Sequence, residues 1–135
     1  MSTVVVDTSA IVAVLAREPG HDWLAAQLAR ASDRLMTAPT ALELGIVLEA
    51  RSPAATGILR RTLRDAQIAV IPFDDNLADR TLDAWRRYGK GRHPAALNFG
   101  DCCSYALAEA TGCPLLCVGD DFSLTDLTVW TPPRS

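Results

Sequence analysis

The chain predicts a single α/β domain built on a mainly parallel sheet, and three observations carry that prediction. Val4, Val5 and Val6 are consecutive β-branched residues, the pattern of a short strand buried on both faces. Further short apolar runs alternate with longer segments of helical period along the whole chain. A length of 135 residues, 49% hydrophobic and 21% charged, suits one domain with a real core, and no repeat or linker interrupts it. The domain is expected over residues 1–131, with the Pro-rich residues 132–135 as a loose tail.

Each element has its own warrant. The first strand stops at Asp7, and Thr8 or Ser9 can cap a helix through Ala10–Leu15. Glu18-Pro19-Gly20 breaks the pattern. A second helix fits His21–Ala31, with Trp23, Leu24, Leu28 and Ala31 at helical spacing. Arg34–Ala38 reads as a strand, and Pro39 suits the first turn of a helix that continues to about Arg51. Ser52-Pro53 ends it, and Ala54–Ala66 makes a fourth helix with Ile58, Leu59 and Leu63 inward. Gln67–Phe73 is a strand. Asp74-Asp75 opens a helix at the end where its dipole favours acids, and this helix runs through Leu77, Leu82 and Trp85 to about Tyr88. Gly89–Pro94 is a loop, Asp101–Ala110 a helix closed by Thr111-Gly112, and Pro114–Val118 a buried strand. Thr128–Trp130 is expected as a last edge strand.

Composition narrows the function. The formal charge is −3, and of thirteen basic residues only Lys90 is a lysine. Net charge describes the whole surface rather than a groove, so it does not by itself exclude a nucleic acid. The arginine skew is read first as coding bias. Cys102, Cys103, Cys113 and Cys117 contain no C-x-x-C, and only His21 and His93 are present to complete a soft-metal site, so zinc is not expected. The cysteines read instead as small core residues in a reducing compartment. No apolar stretch reaches membrane-spanning length, and no basic region precedes the first apolar run. A cytoplasmic protein with no membrane partner is the expectation.

Four acids stand out. Asp7 ends the first strand, and Asp120 follows the last confident one. Glu43 lies among Leu42, Leu44 and Ile46, and Asp101 opens a helix of small and apolar residues. Each alone has an ordinary explanation, as a cap, a solvent-facing acid or a turn residue. Together they describe a cluster at the carboxyl rim of a parallel sheet, where ligands bind. Clustered carboxylates repel, and a hard divalent cation relieves that repulsion. Mg²⁺, with Mn²⁺ as a substitute, suits an all-oxygen donor set. Such a centre serves phosphodiester hydrolysis by activated water. The two histidines are far apart in sequence and in polar settings, which argues against histidine acid–base chemistry.

VVDTSAIVAVL, the ALEL around Glu43, NFGDCCSYALA around Asp101 and LLCVGDDFSLTDL resemble the PIN domain, most closely the VapC toxins of bacterial toxin–antitoxin pairs. The resemblance covers nearly the whole chain, in order. It implies a three-layer α/β/α fold and a Mg²⁺-dependent endoribonuclease silenced by a VapB-type antitoxin. It also implies a homodimer or a larger toxin–antitoxin assembly. By position, Asp7 and Asp101 are implied as the main metal ligands, with Glu43 and Asp120 completing the set. Asp121 and Asp126 are alternatives for the fourth acid. Ser9 matches a hydroxyl residue lining the site, with Thr8 as its alternative. Lys90 and Arg92 in the loop YGKGRH would neutralise RNA phosphates, or form only a solvated loop. Asn98 would hydrogen-bond at the site, or serve only as a turn residue.

Three other readings compete. A catalytically silent module would bind RNA or protein without cutting. A phosphatase of the haloacid dehalogenase type needs a second Asp two positions after the first, where this chain has Ser9. A flap-type DNA nuclease needs extra elements that this length does not provide.

Overall fold

The computed structural model describes residues 2–134. The chain runs β1 (Thr3–Val6), α1 (Thr8–Leu15), α2 (His21–Arg30), β2 (Asp33–Thr37), α3 (Ala38–Arg51), α4 (Ile58–Asp65), β3 (Ile68–Ile71), α5 (Asp75–Tyr88), α6 (Phe99–Thr111), β4 (Leu115–Leu116) and β5 (Val129–Trp130). A 3-10 turn at Asp121–Leu124 lies between the last two strands. The sheet order is β3-β2-β1-β4-β5, and every pairing among the described residues is parallel.

That order sets the position of the site. The chain leaves β1 toward β2 and β3, then returns to add β4 and β5 on the other side. The reversal falls between β1 and β4, and a crevice opens at the carboxyl ends of strands at such a point. Asp7 is the first residue beyond β1, and its N–H donates to Leu116 O at 3.0 Å, so it stands at the lip of that crevice.

The pleat of β1 divides the core. Val4 and Val6 pack with Met36 and Leu116 against residues of α1 to α4, while Val5 packs with Leu115 and Cys117 against α5 and α6. These side chains are fully or almost fully buried, each contributing about 1.5–3 kcal/mol by removal from water. Helices therefore cover both faces of the sheet, in the three layers the sequence implied.

Most boundaries fall within a few residues of expectation. The largest difference is α4, which begins at Ile58 rather than Ala54, because Gly57 adopts a left-handed conformation (φ 68°) that a helix interior does not accommodate. On α5 the buried face is Leu77, Thr81 and Ala84. Leu82 and Trp85 are instead nearly half exposed, at 46% and 41%. The expected tail lies along the domain: Pro132 sits against Gly20, and Arg134 pairs with Asp120. Ser135, its last residue, lies outside the described residues. No helix among the described residues is long and apolar enough to cross a membrane.

Candidate functional site

Asp7 is both a helix cap and a buried carboxylate. Its Oδ2 accepts from the Ser9 backbone N–H at 3.1 Å, closing the first turn of α1, and from Ser9 Oγ at 2.7 Å. Its Oδ1 accepts from Ser104 Oγ at 2.6 Å. Ser9 Oγ in turn accepts from the Val118 N–H at 3.0 Å, linking the ends of β1 and β4. Only 5% of Asp7 is exposed, so three donors hold its carboxylate in one orientation.

α6 supplies the second acid. Asn98 caps the helix by accepting from the Asp101 N–H at 2.9 Å, and Asp101 Oδ2 accepts from the Asn98 N–H at 3.1 Å. This reciprocal capping box fixes the Asp101 side chain at the mouth of the helix. Ser104 lies three residues farther on, on the same face, and holds Asp7. One helical turn therefore brings Asp101 and Asp7 together.

Glu43 arrives from α3. Its Oε1 accepts from Thr8 Oγ1 at 2.7 Å. Its carboxylate abuts Gly100, where an added Cβ would lie 2.7 Å from Oε2. Glycine is thus what lets the first turn of α6 approach Glu43, and that turn carries the positive end of the helix dipole.

Burial pushes the Asp101 carboxyl up to about 6. The Asn98 N–H pulls it down, and the negative charges of Asp7, Asp121 and Glu43 push it further up. Asp101 therefore feels the other three acids, and among the described residues no arginine or lysine forms an ion pair with any of the four.

The candidates for the fourth acid separate. Asp120 is largely exposed and paired with Arg134. Asp126 accepts from Tyr105 Oη at 2.5 Å and from Arg87 Nη2 at 3.2 Å, bonds that hold its carboxyl below the usual range. Asp121, next to Asp120, is the one whose charge reaches Asp101.

The basic loop also divides. Lys90 N–H donates to Leu97 O at 3.0 Å, closing the loop, and Lys90 lines a groove of about 570 Å³ with Phe73, Trp85, Asn98 and Phe99. Asn98 and Cys102 join that groove to the acidic rim. Arg92 turns back onto α5, its guanidinium 4.6 Å from the Trp85 ring centre and its Nε donating to Arg86 O at 3.1 Å. His93 Nδ1 accepts from the Ala95 N–H at 3.0 Å, and its ring meets the edge of Tyr88.

Ser104 is the residue that sequence reasoning missed. Its signal was available: a hydroxyl in a buried stretch of Cys, Tyr and Ala needs a partner, and it stands one turn from Asp101.

The donor set fits a hard cation. Burial pushes the Cys102 thiol up to about 11 and the Cys103 and Cys117 thiols up to about 12. They stay protonated, and the available donors are carboxylate and hydroxyl oxygens. Among the described residues no three His, Cys, Asp or Glu side chains stand close enough together to hold a metal ion by themselves. Mg²⁺ does not require one, since it binds through one or two carboxylates and completes its octahedron with water and substrate phosphate.

A family model for the PIN domain matches residues 4–127. The chain is similar to Ribonuclease VapC of Mycolicibacterium smegmatis, 46% identical over 124 residues that cover 91% of this chain and 96% of that one. It is similar to Ribonuclease VapC36 of Mycobacterium tuberculosis, 50% identical over 125 residues that cover 91% and 90%. Among solved structures, a toxin–antitoxin complex from Klebsiella pneumoniae aligns with a TM-score of 0.72 at 17% identity, covering 98% of this chain and 99% of that one.

Proposed function

The chain belongs to the PIN-domain family, among its VapC-type members, and from that premise we propose that it is a Mg²⁺-dependent endoribonuclease acting as the toxin of a toxin–antitoxin pair. The observation that carries the proposal is the convergence of Asp7, Glu43, Asp101 and Asp121 on one rim, with Asp101 pushed up first by burial and then by its neighbours' charge, and, among the described residues, no basic side chain paired to any of them. The relatives named as ribonucleases, at 46% and 50% identity, support RNA as the substrate.

Asp7 and Asp101 are the main ligands in this reading, with Glu43 and a fourth acid, Asp121 rather than Asp120, behind them. Held there, Mg²⁺ would activate water and neutralise charge building on the phosphate, without a covalent enzyme intermediate. The protein's own part is orientation. Ser104 and Ser9 fix the two oxygens of Asp7, Asn98 fixes Asp101, and Thr8 aims Glu43. Lys90 and Asn98, in the groove beside Asp101, would take an RNA phosphate and sugar. Arg92 would contribute charge from behind Trp85.

The likeness to a toxin–antitoxin complex supports a VapB-type antitoxin as partner. A homodimer is supported by an apolar patch outside the core: Leu42 is 63% exposed, Ile46 62% and Phe99 71%, side by side along α3 and the start of α6. The cytoplasm is the proposed location, in keeping with four free cysteines.

The test is cleavage of end-labelled single-stranded RNA by the purified full chain. EDTA abolishes cutting and Mg²⁺ or Mn²⁺ restores it. Asp101→Asn lowers the rate by on the order of a hundredfold or more, since such a centre supplies several kcal/mol. Cutting that persists in EDTA overturns the metal mechanism. RNA binding with no cutting by the wild type favours the silent module.

A further inference from the structure

Tyr105 is fully buried, yet its hydroxyl reaches two acids outside the core, Asp126 Oδ1 at 2.5 Å and Glu109 Oε2 at 3.3 Å. Arg87 of α5 completes the group, donating to Glu109 at 2.9 Å and to Asp126 at 3.2 Å while lying over the Tyr88 and Tyr105 rings. None of these residues belongs to the acidic rim. We propose that Tyr105, Asp126 and Arg87 form a latch that fixes the loop carrying Asp121 against α6, and so sets the separation of Asp121 from Asp101. The proposal rests on Asp121 being the fourth acid.

Asp101 and Tyr105 are four residues apart on α6, so they share a stripe of one rigid helix. Asp121 and Asp126 lie in one tightly wound segment. Its 3-10 turn spans Asp121–Leu124, Thr125 Oγ1 donates to Phe122 O at 2.6 Å, and the Leu127 N–H donates to Thr125 Oγ1 at 3.3 Å. Phe122, 3% exposed, plugs that segment into the core. Leu127 packs against the same cluster and Thr128 O accepts from the Leu115 N–H at 3.0 Å, while the hydrogen bond from Tyr105 to Asp126 is the polar tie between the segment and the helix that bears Asp101. A charged acceptor and a buried hydroxyl make a strong bond, and Arg87 holds the acceptor in place. With the latch removed, Phe122, Leu127 and the bond from the Leu115 N–H to Thr128 O still hold the ends of the segment, but its polar tie to α6 is gone. The turn that carries Asp121 is then held less firmly against α6, and its share in holding a cation falls.

The latch makes these three positioning residues. Three measurements on the full chain test them, two of which need no RNA. The first is amide hydrogen exchange across residues 119–128 in metal-free protein. Tyr105→Phe and Asp126→Asn are expected to speed exchange there at least tenfold, with α1 and β1 unchanged. The second is calorimetric titration with MgCl₂ alone, where each variant is expected to weaken binding about three- to tenfold. The third is the double variant Tyr105→Phe/Asp121→Asn, expected to bind Mg²⁺ no more weakly than Asp121→Asn by itself. Unchanged exchange in both single variants overturns the latch, as does a double variant whose loss is the product of the two single losses. Asp126→Asn guards against a misfolded Tyr105→Phe, because Asp126 is a surface side chain. An inert wild type toward RNA would sink the ribonuclease reading and leave the exchange and titration results to decide the latch.

Discussion

The protein gathers carboxylates twice, once around an arginine and once, among the described residues, with no basic partner. Asp83, Glu109 and Asp126 collect on Arg87, which closes with them at 3.8, 2.9 and 3.2 Å. Asp7, Glu43, Asp101 and Asp121 collect on the sheet's rim, where among the described residues the first three take hydroxyls and backbone N–H groups as partners. The electrostatic outcomes are opposite. Asp126 is held below the usual carboxylate range, first by the Tyr105 hydroxyl and then by Arg87. Asp101 is pushed up to about 6 by burial and its neighbours' charge. A cluster that contains its own counter-charge is complete and holds the fold together. A cluster without one stores repulsion that an external cation relieves. The positions of the arginines thus separate the structural acids from those proposed to bind metal.

The largest effect that sharpens this contrast is on catalysis. Asp7→Asn keeps one oxygen to accept from Ser9 and turns its amide N–H toward the Ser104 hydroxyl, which can rotate to accept, while removing a charge, so the fold should survive while cleavage drops by on the order of a hundredfold or more. The readout is the initial rate of RNA cleavage, with circular dichroism as the control. A variant that cuts as fast as wild type would place Asp7 among the structural acids. Gly100→Ala comes next. The new Cβ falls 2.7 Å from Glu43 Oε2, the mobile end of a side chain, so Glu43 moves and the backbone stays. Cleavage should fall about tenfold with little change in Tm, and a large drop in Tm with full activity would contradict that.

At the other cluster the sign of the stability effect reverses. Arg87→Ala strands Glu109 and Asp126 beside the buried Tyr105 hydroxyl. The side chain of Arg87 is 38% exposed, so solvent screens part of the loss, leaving a cost of about 1–2 kcal/mol, seen as a lower Tm. Asp101→Asn should do the reverse in metal-free protein. The folded carboxyl titrates at about 6, above the unfolded value near 3.9. The wild-type fold therefore binds the proton more tightly than the unfolded chain does. It is unpenalised below about pH 4 and loses stability as pH rises through about 6. Asparagine carries no such penalty. The variant should match wild type at pH 4 and exceed it by about 1–2 kcal/mol at pH 7, allowing for partial solvent screening. Mg²⁺ should narrow that gap by stabilising only the wild type. Denaturant melts at the two pH values check both signs.

Both clusters were only partly legible in the sequence. Asp7 after a Val run and Asp101 before a small apolar helix were visible because strand–acid–helix junctions are local patterns. Their meeting depended on the strand order, which places β4 rather than β3 beside β1 and which no local pattern specifies. Ser104 was passed over because a serine among cysteines and alanines looks like filler until its partner is known. The Arg87 cluster could not be seen at all. It joins α5, α6 and a late loop through long side chains, and in the sequence those acids look like solvated surface. Leu82 and Trp85 continued a run of α5 that the structure turns partly outward, since a helix wide in apolar residues does not declare which stripe faces the core.

The smallest effect separates two adjacent aspartates. Asp120 and Asp121 follow Gly119, whose left-handed backbone (φ 104°) turns the chain sharply after β4. In sequence the two are interchangeable as a fourth acid. In the fold Asp120 faces the tail and meets Arg134, while Asp121 opens the 3-10 turn on the side of Asp101. The Asp120 pair is exposed at both ends, and exposed pairs contribute little because water and salt screen them. Asp120→Asn should therefore leave Tm and cleavage within error of wild type, and Asp121→Asn should raise the Mg²⁺ concentration for half-maximal cleavage severalfold. If the two results exchange places, the tail contact with Arg134 is a resting arrangement that metal displaces, and Asp120 moves from the structural acids to the metal-binding ones.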